Sequence, residues 1–142
     1  MQGNSEYDVL RRFLVEFGER EIKEHVKMAT DEGFWEKIYN LDLSSCELVQ
    51  LPPEIGLLNN LINLELVNNK LVDLPDEFMS LRKLRILHLE GNEFEHVPGV
   101  LCHMPWISQL YLDCNPFEKL PISLNEKALK SYPPGAYWVD DV

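Results

Sequence analysis

Basic residues are scarce in this chain. It carries 13 Lys and Arg against 24 Asp and Glu over 142 residues, for a formal net charge of −11 at pH 7. A surface of that sign repels phosphate backbones and anionic headgroups, which argues against nucleic-acid and anionic-membrane binding. Long apolar runs are missing as well, and nothing approaches the ~20 residues of a membrane span. The opening MQGNSEYDVLRR has no apolar leader core, so a chain that starts here is expected to stay inside the cell, in the cytoplasm or, alternatively, the nucleus. Cysteines are few: Cys46, Cys102 and Cys114. An odd, sparse set argues against a disulfide framework and fits a reducing compartment.

Catalytic signatures are also absent. There is no Gly-rich phosphate loop, no GxSxG, no HExxH and no CxxC, so no cofactor is implied. Cys102-His103, with Cys114, His88 and His96, invites a zinc or thiol-nucleophile reading. Zinc needs four ligands converging at about 2.0–2.3 Å, and adjacent residues such as Cys102 and His103 usually point apart on a turn. The expectation is therefore no metal and no enzyme.

Leucine is abundant. Of 23 leucines, 19 lie between Leu41 and Leu120, which calls for a test of internal periodicity. A 23-residue period aligns four copies in nine columns. The first runs Ile38, Leu41, Leu43, Cys46, Leu48, Leu51, Pro52, Ile55, Leu58. The second runs Leu61, Leu64, Leu66, Asn69, Leu71, Leu74, Pro75, Phe78, Leu81. The third runs Leu84, Leu87, Leu89, Asn92, Phe94, Val97, Pro98, Leu101, Met104. The fourth runs Ile107, Leu110, Leu112, Asn115, Phe117, Leu120, Pro121, Leu124, with polar Lys127 where an apolar residue is due.

These columns resemble the leucine-rich repeat family, whose motif is LxxLxLxxNxLxxLP. The resemblance spans about 38–124. Its 23-residue period and recurring Leu-Pro are most similar to the intracellular Ras-suppressor and scribble-like class. It implies an α/β solenoid with a right-handed, curved parallel sheet of about four repeats. It also implies a non-catalytic protein-binding role, with partners such as small GTPases, phosphatase catalytic subunits or other scaffolds. The residues agree. Each Leu-x-Leu alternation reads as a strand with leucines inward, and neighbouring strands one repeat apart must be parallel. Asn69, Asn92 and Asn115 are placed to pair backbone groups that the turn leaves buried. The expected layout is an N-terminal helical cap at 1–37, repeats at 38–60, 61–83, 84–106 and 107–121, and a C-terminal cap and tail at 122–142.

Ser5-Glu6-Tyr7-Asp8 resembles a capping box. Val9, Leu10, Phe13, Leu14 and Phe17 make one helical face, and Ile22, Val26 and Ala29 make another about half a turn out of phase, so a break is expected near Gly18. Trp35 falls in the column of Leu58, Leu81 and Met104 and is expected to plug the core. Leu124, Ala128, Leu129 and Tyr132 fit one face of a short helix. Ala136-Tyr137-Trp138-Val139 reads as a lid on the last repeat, with a free aromatic tail that grips a partner as the rival. Asp140-Asp141-Val142 resembles a weak PDZ ligand.

The candidate site is the concave sheet face. Its residues are Asn40, Asp42, Ser44 and Ser45, then Asn63, Glu65, Val67 and Asn68. His88, Glu90 and Ile86 follow, and then Gln109, Tyr111 and Asp113. An apolar and aromatic centre (Val67, Ile86, Tyr111) among carboxylates (Asp42, Glu65, Glu90, Asp113) is expected to take a protein with a basic patch. Lys70, Arg82, Lys83 and Arg85 read as a solvated turn region, with an acidic partner or intramolecular pairs as the rival. Three functions are weighed: a small adaptor or scaffold in intracellular signalling; an acidic inhibitor of an enzyme or of a basic nuclear protein, without the usual long acidic tail; and an enzyme built on the cysteines and histidines.

Overall fold

The computed structural model describes residues 6–18, 23 and 32–140. The first element, α1 (Glu6–Phe17), packs one face on the repeats. Leu10 and Leu14 are fully buried there, and Tyr7, Phe13 and Phe17 lean on the same core. The helix ends at Phe17, and the Gly18 N–H reaches back to the Leu14 carbonyl at 2.8 Å. Ser5 of the capping box and the second face at Ile22, Val26 and Ala29 lie outside the described residues. A 3₁₀ turn over Glu32–Lys37 delivers Trp35, which is 1% exposed. Tyr7 stacks on it at 5.7 Å and Phe34 meets it edge-on at 5.2 Å. The Arg11 guanidinium lies 5.6 Å over its ring.

The repeats follow as β1 (Asn40–Asp42), β2 (Asn63–Glu65), β3 (Ile86–His88) and β4 (Gln109–Tyr111). All pair in parallel, each residue opposite the one 23 positions on. Leu41, Leu64, Leu87 and Leu110 point inward from the middle of each strand. Leu43, Leu66, Leu89 and Leu112 bury two residues later. The chain then passes through the left-handed region at Ser45, Asn68, Gly91 and Cys114, one matching position per repeat with φ from 56° to 71°, and the first repeat does so again at Glu47, with φ 57°. L-residues other than Gly pay about 1–2 kcal/mol for that conformation.

The turn brings the next asparagine inside, where Asn69, Asn92 and Asn115 are 5–7% exposed. Each binds its own repeat and the one before. Asn69 Nδ2 donates to the Leu43 and Leu66 carbonyls, and its Oδ1 accepts from the Cys46 and Leu48 N–H groups, all at 3.0–3.1 Å. Asn92 Nδ2 donates to Leu66 and Leu89, and its Oδ1 accepts from the Leu71 N–H. Asn115 repeats the pattern with Leu89, Leu112 and the Phe94 N–H. Cys46 holds this column in the first repeat, and its thiol donates to the Phe17 carbonyl at 3.2 Å, tying α1 to the stack. On the convex side, 3₁₀ turns at Pro53–Leu57, Asp76–Ser80 and Gly99–His103 bury Ile55, Phe78 and Leu101.

The C-terminal segment departs from expectation. Leu124, Ala128, Leu129 and Tyr132 do not share a short helix. A single 3₁₀ turn, Glu126–Ala128, ends the helical part. Leu129–Ser131 then forms β6, which adds a fifth strand to the expected four by pairing with β4 through a register shift. The reason is the edge left by β4: its unpaired backbone is satisfied by a strand, not by a helix. Further on, β7 (Tyr137–Val139) pairs in parallel with β5 (Lys119–Pro121). The tail is thus docked through its backbone, and its rings do not plug the core: Tyr137 is 49% and Trp138 36% exposed.

The buried amides generate a prediction. Asn92→Leu keeps volume and apolarity but strands the Leu71 N–H among buried groups and takes the amide donor from the Leu66 and Leu89 carbonyls. A loss of at least about 2 kcal/mol is expected by chemical denaturation. An unchanged midpoint would mean these backbone groups find other partners.

Candidate partner-binding face

The sheet face is built by alternation. With the middle residue of each strand inward, its two neighbours face out. The register sets them in rows. Asn40, Asn63, Ile86 and Gln109 make one row, and Asp42, Glu65, His88 and Tyr111 make the next, extended by Ser131 of β6. Val67, Glu90 and Asp113 make a third row by the same 23-residue step. The predicted face residues are half-buried except Asn40, Ser45 and Asn68, which are exposed. Ser131 was not foreseen, because β6 lies off the 23-residue register.

Val67, Ile86 and Tyr111 fall in three different rows. The ring that meets Tyr111 is His88, stacked at 4.2 Å with an 8° interplanar angle. His88 Nδ1 lies 3.2 Å from Glu90 Oε2, and the Tyr111 hydroxyl donates to Gln109 Oε1 at 3.2 Å. The centre of the face is therefore a stacked imidazole–phenol plate braced by a carboxylate and an amide. Asp42 Oδ1 accepts from the Ser44 N–H at 2.9 Å, and Ser44 Oγ accepts from the Val67 N–H at 3.1 Å, which stiffens the first strand's exit.

Among the described residues, four buried side-chain polar atoms have no hydrogen-bond partner, and three belong to this face: Asn63 Oδ1, Glu90 Oε1 and Ser131 Oγ. The fourth is Trp35 Nε1 in the N-terminal cap. Buried acceptors without donors carry a desolvation cost of about 1–3 kcal/mol each. Two of the three can only accept.

The basic cluster of Lys70, Arg82, Lys83 and Arg85 sits on the turns, and Lys130 lies in β6 at the edge of the sheet. Lys70 is 4.0 Å from Glu47. Lys83 Nζ donates to Asn60 Oδ1 at 2.8 Å. Arg85 donates to the Arg82 and Leu84 carbonyls, and the Arg82 guanidinium lies 4.8 Å over Trp106. These are intramolecular contacts on exposed turns. His88 stands on the sheet face, whereas His96, Cys102 and His103 line a cavity on the opposite side. Among the described residues no group of three His, Cys, Asp or Glu is arranged to hold a metal. No helix among them is long and apolar enough to cross a membrane.

The leucine rich repeat family model matches this chain twice, over residues 36–94 and 59–117. The chain belongs to the leucine-rich repeat family. Members of that family generally act as protein–protein interaction modules. Among solved structures, a leucine-rich repeat protein from Leptospira interrogans is 32% identical, with a TM-score of 0.60 over 71% of this chain and 26% of that one. The leucine-rich repeat ectodomain of the receptor kinase SOBIR1 from Arabidopsis thaliana is 27% identical, with a TM-score of 0.58 over 75% of this chain and 62% of that one. The chain thus spans less than two thirds of either structure. No curated protein sequence matches it.

The stacked plate gives a direct test. Tyr111→Ala should cost about 0.5–1.5 kcal/mol of stability. It should also shift the His88 ring resonances in an NMR spectrum, because the phenol ring current is lost. Unmoved His88 resonances would show that the two rings do not stack in solution.

Proposed function

We propose that this chain is a non-catalytic adaptor or scaffold of intracellular signalling, of the 23-residue Ras-suppressor and scribble-like class. It works in the cytoplasm or nucleus and binds a basic protein partner on its concave face. The observation that carries this reading is the polarity of that face, which offers acceptors and asks for donors. Asp42, Glu65, Glu90 and Asp113 stand in columns that hold no Lys or Arg between Asn40 and Asp113. The partnerless oxygens of Asn63 and Glu90 lie among them. A partner that brings ammonium or guanidinium groups supplies the missing donors and the opposite charge at once. A guanidinium also stacks favourably on an aromatic plate such as His88–Tyr111.

Five strands at ~4.8 Å spacing span only about 19 Å, so the bound feature is a segment or a small protruding surface. The alternative, an acidic inhibitor that occupies a basic site on an enzyme or a basic nuclear protein, draws on the net charge of −11. Salt separates the two. An inhibitor held by long-range charge detaches as screening rises, whereas an anchored adaptor complex persists.

Affinity purification with partner identification, followed by binding kinetics, tests the proposal. Tyr111→Ala is expected to weaken binding by about 1–3 kcal/mol, mainly through faster dissociation, because buried aromatic anchors dominate interface energetics. Glu65→Lys combined with Glu90→Lys is expected to slow association and flatten its salt dependence. Unchanged rates in both, with losses on substitution of Glu54, Glu77 or Lys83, would move the site to the convex side.

A further inference from the structure

The repeats are their own reference lattice, and one step of that lattice is broken. The convex 3₁₀ turns begin at Pro53, Asp76 and Gly99, each 23 residues after the last. The next, due at Ile122, is cut to a single turn in which the Leu124 N–H donates to the Pro121 carbonyl at 3.0 Å, and 3₁₀ structure resumes only at Glu126. Two columns face each other across each step. At the first step Gly56 lies against Glu77 so closely that a Cβ would sit 2.5 Å from the Glu77 carbonyl oxygen. At the second, the same columns hold half-buried Met79 and buried Val100. At the third they hold Cys102 and Ser123, and both line an open cavity of about 550 Å³. The fourth convex turn is cut short there, and the wall beside it is open.

The surrounding sequence changes with it. The exposed column that reads Val49 and Val72 in the first two repeats reads Glu95 and Glu118 in the last two, and both glutamates line the cavity. Asp140, just past β7, adds a third carboxylate, against the single ammonium of Lys119. Val97, Pro121 and Val139 supply apolar wall between them. A cavity of this size, with apolar wall and three exposed carboxylates against one ammonium and the imidazoles of His96 and His103, matches a ligand with an apolar body and a cationic head.

We propose that this cavity, between the third and fourth repeats and away from the sheet face, binds an amphipathic cation: an ammonium or guanidinium group on an apolar stem. Its source is either a free amine or a Lys or Arg side chain of a peptide. Gly99 is the entry point for testing it, because a Cβ built there meets nothing within 4 Å. A large side chain at that position occupies the cavity mouth without straining the fold.

The experiment uses the full chain and three probes: n-hexylamine, hexanoate as the same stem with the opposite charge, and an acetylated, amidated Leu-Arg-Leu peptide. Binding is read by NMR titration and by the alkylation rate of Cys102, with exposed Cys114 as the internal reference. Hexylamine or the peptide should bind saturably, shift amides of 95–103 and 118–121, and slow alkylation at Cys102 but not at Cys114. The tighter of the two identifies the source. Glu95→Gln with Glu118→Gln should weaken binding about fivefold or more, and Gly99→Phe should abolish it while the chain stays folded by circular dichroism. Equal binding of hexanoate, equal slowing at both cysteines, no saturable binding of either cation, or retention of affinity in Gly99→Phe would overturn the proposal.

Discussion

The structure rests on the pairing of buried backbone at the turn that leaves each strand. A solenoid of such short repeats folds its chain sharply at every turn, and the turn carries N–H and C=O groups into a core where water cannot reach them. Asn69, Asn92 and Asn115 meet that demand with one side chain each, accepting from one repeat while donating to two carbonyl layers. A hydrogen bond of this kind nets only about 1 kcal/mol, but leaving its partners unmade costs more. The amides therefore set the step between repeats as well as stabilise it. Hydrophobic burial would tolerate other spacings; three-way amide geometry does not.

The face on the other side of the sheet follows from that step. Once leucines and asparagines are inside, the intervening residues are presented at a fixed pitch, and each strand contributes the same positions to the same rows. Rows turn isolated surface residues into a continuous polar surface. His88 and Tyr111 are 23 residues apart in sequence and 4.2 Å apart as rings. The same regularity makes a lapse visible: where the fourth convex turn is cut short, the packing column reads Cys102 and Ser123 and the wall opens.

Much of this was legible without coordinates, and for a specific reason. Nine columns at one period leave a single register, so the strands, their direction and the inward leucines follow from the residues. The face residues follow too, by alternation. The pairings on that face did not. Sequence suggested that Val67, Ile86 and Tyr111 form one apolar centre, yet they lie in three rows, and the ring beside Tyr111 is a histidine. The left-handed column of Ser45, Asn68, Gly91 and Cys114 has four different residues, and only Gly91 and Asn68 hint at its conformation.

Sequence by itself determined whatever the repeat dictates: the parallel sheet, its pitch, the asparagine ladder and the acidic cast of the exposed columns. These are local rules applied four times, so each copy checks the others. Tertiary structure alone decided what happens where the copies stop. Residues 122–140 obey no period, and their apolar spacing fits a helix as well as it fits anything. The open edge of β4 and the outer backbone of β5 settled the matter by recruiting Leu129–Ser131 and Tyr137–Val139 as strands. The demand that buried or edge backbone be paired comes from neighbours distant in sequence, and no local pattern records it.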